Sequence, residues 1–135
     1  MDGKDLHTDE IYDKVENLHV KKTGFLERKV VKKPWGSEEV VVVTDKYAMK
    51  FLNIDAGEHF SLQYHKEKME TMLVVSGCGK ILLDDEEHDL TEGKIVHIMP
   101  PSTHRITAVE NLRLLEVSTP ELWDVVRLED KYGRT

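Results

Sequence analysis

The sequence predicts an all-β domain, either a two-sheet sandwich or a small barrel. Eight short β-rich runs follow one another after about Phe25: EEVVVVTD, YAMKFLNIDAG, HFSLQYH, TMLVVSG, GKILLDD, KIVHIMP, HRITAV and LRLLEVS. Turn-forming segments separate them, namely DAG, SGCG, LDDEEHD, TEG and PPS. Because no helical pattern intervenes and 135 residues suffice for one domain, the strands are expected to form a single unit.

A short amphipathic helix is predicted before this β region. In TDEIYDKVENLHV, Ile11, Val15 and Leu18 recur at helical spacing. We therefore expect a helical arm over residues 1–24 and a barrel domain over residues 25–135. The apolar stripe of the arm is expected to pack on this domain or on a second copy.

A second short helix is predicted near the carboxyl end. Thr119 is a typical helix cap, and Pro120 follows it at the first helical position of STPELWDVVRLEDKYGR. Trp123 is interpreted as a packing anchor of this helix.

Composition limits the class of partner. The formal net charge is −7, with 26 acidic and 19 basic residues, and no dense Lys/Arg cluster appears, which argues against nucleic acid. No apolar run is long enough to span a membrane, and MDGKDLHTDE has no signal-peptide core. The single cysteine, Cys78, permits no internal disulfide. A soluble cytoplasmic protein is expected.

The run HFSLQYH has an unusual polar face. If it is a regular strand, four polar residues share one side and three apolar or aromatic residues share the other: His59, Ser61, Gln63 and His65 against Phe60, Leu62 and Tyr64. In an ordinary half-exposed strand the polar side would simply face water.

Two further residues favour a metal site. Glu70 opens the apolar run ETMLVVSG, and a carboxylate at the edge of a buried strand needs a cation or strong donors. His104 follows a Pro-Pro turn on a later strand. Two histidines and a carboxylate on antiparallel neighbours can enclose one divalent ion, with the Gln63 amide as a further ligand. This donor set suits Zn, Mn, Fe, Co or Ni and does not choose among them.

The same residues carry a family resemblance. One series of residues resembles the first cupin motif: Gly57, five residues, Gln63-Tyr64-His65, four residues, Glu70, six residues and Gly77. The distance in sequence from Gly93 to His104 is similar to that between the glycine and the metal-binding histidine of the second cupin motif. The Gln63 variant is similar to the phosphomannose isomerases. Further segments resemble the isomerase domain of type II mannose-6-phosphate isomerase/mannose-1-phosphate guanylyltransferase, namely KPWGSEEV, VVSGCGKI and VVRLEDKYGR.

The resemblance implies a double-stranded antiparallel barrel of the jelly-roll type, with Gln63, His65, Glu70 and His104 around a metal. It also implies a sugar-phosphate isomerase, in which the cation stabilises an enediolate and a base moves a proton between adjacent carbons. The candidate bases are His59, Lys50, His97 and Glu116, and the sequence does not rank them.

The phosphate of such a substrate would need cationic or hydroxyl donors. Ser61 matches the serine of the isomerase S-x-Q-x-H pattern, and Lys50 and Arg105 fall where the resembling proteins carry basic residues. Lys33, in KPWG, is expected to border the mouth of the site.

Two alternatives stay open. His65, Glu70 and His104 without Gln63 form the two-histidine, one-carboxylate set of iron-dependent oxygenases. The domain is also compatible with non-catalytic binding of a sugar phosphate or nucleotide sugar. A homodimer is expected, because strand edges and apolar stripes are often covered by a second copy.

Overall fold

A computed structural model describes residues 19–130. They form eleven strands, β1 Lys29–Lys33, β2 Gly36–Val43, β3 Ala48–Ile54, β4 Leu62–Tyr64, β5 Glu70–Ser76, β6 Gly79–Leu83, β7 Glu86–Leu90, β8 Ile95–Ile98, β9 His104–Ala108, β10 Leu112–Ser118 and β11 Val126–Glu129. Within the described residues, no helix has the length and apolarity that crossing a membrane requires.

The strands build two facing antiparallel sheets. The six-stranded sheet has the order β1-β2-β3-β10-β5-β8, and the five-stranded sheet has the order β11-β4-β9-β6-β7. The predicted all-β class and antiparallel barrel architecture are confirmed. Three strands were not predicted: β1, β11, and β7, which occupies part of a segment interpreted as a turn. Only Asp84 and Asp85 form the turn there, and Asp84 has a φ of 52°.

An apolar core fills one part of the space between the sheets. The buried side chains include Leu52, Val74, Ile81, Ile106 and Leu114. The Trp35 and Phe60 rings also meet there, with their centroids 4.5 Å apart. Strand residues alternate between faces, so every second residue of β3 and β10 is buried.

The register of the central strands divides the interior into an apolar half and a polar half. Toward one end of the pair β3–β10, Leu112 lies opposite Ile54 and Leu114 opposite Leu52. Toward the other end Glu116 lies opposite Lys50, and both side chains are buried. The same alternation that builds the core therefore places charged groups inside the barrel.

The predicted carboxyl-terminal helix is wrong. Residues 119–125 form a turn instead, and the chain then continues into β11, which pairs with β4. Thr119 Oγ1 accepts a hydrogen bond from the Met69 amide, 3.0 Å away, rather than capping a helix. A short isolated helix is costly to nucleate, and tertiary hydrogen bonds stabilise the extended path instead. The predicted amino-terminal helix, around Ile11 to Leu18, lies outside the described residues.

Candidate metal centre

The polar half of the barrel encloses a cavity of about 50 Å³, a volume large enough for a few water molecules. Most of the predicted site residues line it: Lys33, Lys50, Ser61, Gln63, His65, Glu70, His104 and Glu116. The lining also includes Glu38, Lys68 and Arg127, which the sequence reasoning did not identify.

Two imidazoles and one carboxylate meet inside this cavity. His65 Nε2 lies 2.8 Å from Glu70 Oε2, and His104 Nε2 lies 3.5 Å from the same oxygen. One ligand atom from each residue falls within 4.8 Å of the other two. His65 directly follows β4, Glu70 begins β5 and His104 begins β9, so strand ends bring the three together. At 3%, 4% and 1% exposure, they are nearly inaccessible to water.

Hydrogen bonds on the far side of each imidazole fix its tautomer. His65 Nδ1 donates to the Asp124 carbonyl oxygen, and His104 Nδ1 donates to the Ser102 carbonyl oxygen, 3.2 Å away. Since a carbonyl oxygen can only accept, the proton of each neutral imidazole lies on Nδ1 and the Nε2 lone pair faces Glu70. Backbone carbonyls orient metal-binding histidines in the same way.

Two hydrogen-bond acceptors, one on His65 and one on Glu70, face each other without a hydrogen atom between them. His65 Nε2 and Glu70 Oε2 are both buried without a hydrogen-bond partner among the described residues. Unpaired buried acceptors at this separation are unfavourable, and a cation between them would satisfy both. The donor set of two imidazoles and a carboxylate thus fits a divalent transition metal.

Gln63 lies beside this cluster. Its Cα is paired with that of His104 across β4 and β9, and its side chain lines the cavity. The Ser61 hydroxyl, only 1% exposed, donates to Gln63 Oε1 over 2.8 Å. The amide oxygen has a second lone pair that is available to a cation.

The local charges keep Glu70 ionised. Burial desolvates its carboxylate and alone would raise the pKa, but the Lys68 ammonium outweighs this effect, together with the hydrogen bonds that His104 and His65 donate whenever they are protonated at Nε2. The pKa of Glu70 is therefore held well below its usual range. A metal ligand must be deprotonated, and Glu70 meets that requirement at neutral pH.

The pKa of a second buried carboxylate, Glu116, is shifted in the opposite direction. Burial raises the pKa of Glu116, and the neighbouring Glu70 adds to the rise, while Lys68 and Lys50 oppose it. The Glu116 carboxylate lies 3.1 Å from Lys68 Nζ. Both side chains are almost fully buried, at 4% and 7% exposure. A proton-accepting group thus lies next to the predicted metal ligands.

A third carboxylate, Glu38, lies between two lysines. Its oxygens are 3.1 Å from Lys50 Nζ and 3.8 Å from Lys33 Nζ. Burial opposes ionisation, but the lysine charges lower the pKa of Glu38 to about 2. Sequence reasoning missed Glu38 because it lies next to Glu39 in GSEEVVVV, and only the strand register shows which of the two points inward.

Three predicted site residues do not line the cavity. His97 is exposed on β8, where its Nδ1 lies 2.7 Å from Thr71 Oγ1, and the predicted inward orientation is not observed. Arg105 follows His104 on β9, so strand alternation turns it outward to within 3.3 Å of Glu129.

His59 is displaced by a break in the predicted alternation of HFSLQYH. The regular strand covers only Leu62–Tyr64, and His59 forms an isolated bridge with Thr107. Phe60 and Ser61, although adjacent, are both buried and both line the cavity. Phe60 thus takes the inward position next to Ser61, while the His59 ring contacts the Phe60 carbonyl oxygen at 2.8 Å.

Comparison with known proteins agrees with this architecture. A family model described as "Mannose-6-phosphate isomerase C-terminal" matches residues 19–130. The alginate biosynthesis protein AlgA of Pseudomonas aeruginosa is 34% identical over 110 residues, which are 78% of this chain and 23% of that protein. A mannose-1-phosphate guanylyltransferase of Escherichia coli is 35% identical over 112 residues, which are 77% of this chain and 23% of that protein. The chain therefore spans less than a quarter of the length of these relatives.

Solved structures show the same fold at low sequence identity. An RmlC-like cupin from Shewanella frigidimarina superposes with a TM-score of 0.66 at 14% identity, and the match covers 73% of this chain and 92% of that one. The double-stranded cupin barrel expected from the motifs is confirmed. The chain belongs to the family of mannose-6-phosphate isomerase carboxyl-terminal domains.

Proposed function

We propose that this protein is a metal-dependent sugar-phosphate isomerase of the mannose-6-phosphate isomerase type. The observation that carries the proposal is the buried His65–Glu70–His104 cluster, next to the Lys68–Glu116 ion pair in one cavity. Membership of the isomerase-domain family supports the same reaction class. Fold alone would not, since cupins carry many activities.

The metal would be one divalent ion held by Gln63, His65, Glu70 and His104. Zn, Mn, Fe, Co and Ni all suit imidazole, carboxylate and amide donors. When bound, such an ion supplies Lewis-acid stabilisation of the negative oxygen that develops in the enediolate.

The charges around the cavity favour a phosphorylated substrate. Four cationic side chains, Lys33, Lys50, Lys68 and Arg127, line it together with three carboxylates, Glu38, Glu70 and Glu116. The protein as a whole carries a formal net charge of −7, whereas the cavity lining has one more cationic than anionic side chain. A divalent metal would add to the positive excess and attract a phosphate dianion. Lys33, Lys50 and Ser61 are the proposed donors to the phosphate or sugar hydroxyls.

The chain supplies one pair of groups suited to moving the proton. Glu116 is the proposed base: its carboxylate would take the proton from the substrate's C2 and return it to C1, while the hydroxyl proton passes from O2 to O1, and together these transfers convert an aldose into a ketose. The Lys68 ammonium, 3.1 Å away, would stabilise the ionised carboxylate before the proton is taken and again after it is returned. Burial of the pair excludes the water that would otherwise compete for the proton.

The test is turnover with defined metals and substrates. Protein loaded with each of the five metals should interconvert mannose 6-phosphate, or another hexose, pentose or heptose phosphate, with its ketose. His104→Gln should abolish turnover, while His97→Gln is a matched control because His97 is exposed and does not line the cavity. No turnover across the panel with any metal would overturn the proposal.

A second candidate function is non-catalytic binding of a sugar phosphate or nucleotide sugar. It is favoured by one observation: the cationic side chains of Lys33, Lys50, Lys68 and Arg127 line one cavity, which suits an anionic sugar whether or not it reacts there. A thermal shift with sugar phosphates that is lost in Lys50→Met, with no turnover under any metal, would support this function over isomerisation.

We also propose a homodimer formed through the outer face of the six-stranded sheet. Val75, Ile95 and Val117 are exposed on that face, at 40%, 68% and 44%. Light scattering should give twice the monomer mass of 15.6 kDa. Ile95→Asp should shift the population toward the monomer, and a wild-type monomer at tens of micromolar would refute the proposal.

A further inference from the structure

The segment between β10 and β11 is hydrogen-bonded to the His65–Glu70–His104 cluster through Asp124. Its carbonyl oxygen accepts the Nδ1 hydrogen of His65. Its carboxylate accepts three backbone amides of the loop that follows His65: those of Lys66 at 3.1 Å, Glu67 at 2.6 Å and Lys68 at 2.9 Å.

These two sets of contacts act on the same short piece of chain. The loop of residues 66–69 joins two of the proposed ligands, His65 and Glu70. Three amide donors around one carboxylate form a compact anion-binding turn, which restricts the backbone conformation of the loop. Asp124 thereby holds one ligand through its main chain and the connection to the next ligand through its side chain.

The cavity wall depends on the same segment. Leu122 and Val125, on either side of Asp124, line the cavity with Arg127. Apart from the Asp124 contacts, the segment is fastened to the neighbouring loop by reciprocal hydrogen bonds of Thr119 and Met69, each 3.0 Å long.

We propose that Asp124 is a positioning residue that fixes the tautomer and orientation of His65 for the metal. It does so without touching metal or substrate. With Nδ1 engaged by the carbonyl, the neutral imidazole must direct its Nε2 lone pair at Glu70. Release of the carboxylate from the loop would let the Asp124 main chain move away, and His65 would then exchange between its two tautomers. This inference rests on the metal-binding part of the proposed function.

Asp124→Asn is the test variant. It preserves size, but an amide offers one acceptor atom where the carboxylate offers two, and its NH₂ group would face the loop amides. In the metal-free variant, long-range proton–nitrogen NMR spectra of His65 should show a tautomer mixture, whereas the wild type should show the Nδ1–H form alone. Titration calorimetry with Co²⁺ should show 10- to 100-fold weaker binding, the usual loss when an outer partner of a ligand is removed.

Glu129→Gln is the matched control. It makes the same carboxylate-to-amide change a few residues further along, where Glu129 is exposed and paired only with Arg105 among the contacts described above. Its His65 spectrum and Co²⁺ affinity should stay within twofold of the wild type. An unchanged His65 tautomer and unchanged Co²⁺ affinity in Asp124→Asn would overturn the proposal.

Two outcomes separate this inference from the proposed function. If the wild type binds neither Co²⁺ nor any of the other four candidate metals, the proposed function is refuted, while the His65 tautomer in the metal-free proteins still tests Asp124. If Asp124→Asn does not fold, the wild-type spectrum decides, because an Nε2–H form of His65 would refute the proposal directly. Asp124→Ser, which retains one acceptor oxygen without an NH₂ group opposing the loop amides, should give an intermediate population.

Discussion

Glu70 is the residue on which the proposed metal site depends most. Within residues 19–130 it is the carboxylate that lies within 3.5 Å of both imidazoles, and its low pKa keeps it negative inside the protein. Removing its charge would leave a site of neutral donors, which binds divalent ions far less tightly than one that includes a carboxylate.

We therefore predict that Glu70→Gln abolishes stoichiometric metal binding. The amide preserves the shape of the side chain but cannot neutralise a divalent cation. Elemental analysis of purified protein and Co²⁺ titration provide the measurement. The control is Glu92→Gln, which makes the same change at an exposed turn. Full metal occupancy in Glu70→Gln would contradict the assignment of this ligand.

For Glu116 we predict a different signature. In Glu116→Gln the metal ligands remain, so metal content should equal that of the wild type. The rate constant kcat should nevertheless fall by about 10²- to 10⁴-fold, the range that positioned acid–base groups contribute. Glu110→Gln, at an exposed turn, should retain full activity. A wild-type kcat in Glu116→Gln would exclude Glu116 as the base.

The strand ends explain why the proposed ligands were predictable. Gln63, His65, Glu70 and His104 interrupt apolar runs, and their spacing matches recurrent cupin motifs, so local sequence was informative. Lys68 and Arg127 were missed because the position of a charged side chain in a cavity wall is a tertiary property. Lys68 lies in HKEKME among residues that look solvated, and only its contact with Glu116 distinguishes it.

The connections between strands were harder to predict than the strands. Residues 119–125 carry a good local helix signal, but the carboxylate of Asp124 accepts amides from a loop more than fifty residues away in sequence. The displacement of His59 has a similar origin, since Phe60 packs on Trp35 from the turn before β2. Such long-range contacts override local patterns and are invisible in the sequence.

Gly77, in the turn between β5 and β6, has very little room for a side chain. Its φ is +83°, and an added Cβ would lie 2.0 Å from the Asn111 carbonyl oxygen. We predict that Gly77→Ala lowers the free energy of unfolding by more than about 2 kcal/mol, because both backbone strain and a backbone clash oppose the methyl group. Chemical denaturation supplies the measurement.

Gly93→Ala is the matched control for that prediction. Gly93 has a similar φ of +87°, but nothing lies within 4 Å of an added Cβ. Its cost should therefore be limited to the backbone term of about 1–2 kcal/mol. Equal losses in the two variants would show that the approach of Asn111 is tolerated.

The buried ion pairs make the stability of the whole protein depend on pH. Glu38 has a folded-state pKa of about 2 against an ordinary value of 4.5. The unfolded chain therefore binds more protons between these values, and stability falls as the pH drops through that window. The shift corresponds to about 3 kcal/mol, present above pH 4.5 and lost toward pH 2.

We predict that Glu38→Gln removes this contribution. The free energy of unfolding should lie about 3 kcal/mol or more below the wild type at pH 6, because Lys33 and Lys50 lose their buried partner. The difference should narrow as the pH approaches 2, where wild-type Glu38 is itself protonated. Denaturation at several pH values provides the test, and a constant difference would refute the assigned pKa.

The division of the interior into an apolar and a polar half has a practical consequence for metal exchange. Leu112, Leu114 and their neighbours hold the sheets together at a distance from the ligands, so chelation should empty the centre and leave the barrel assembled. One batch of stripped apoprotein would then accept each candidate ion in turn. If the proposed centre holds a native ion, the identity of that ion can then be studied separately from folding.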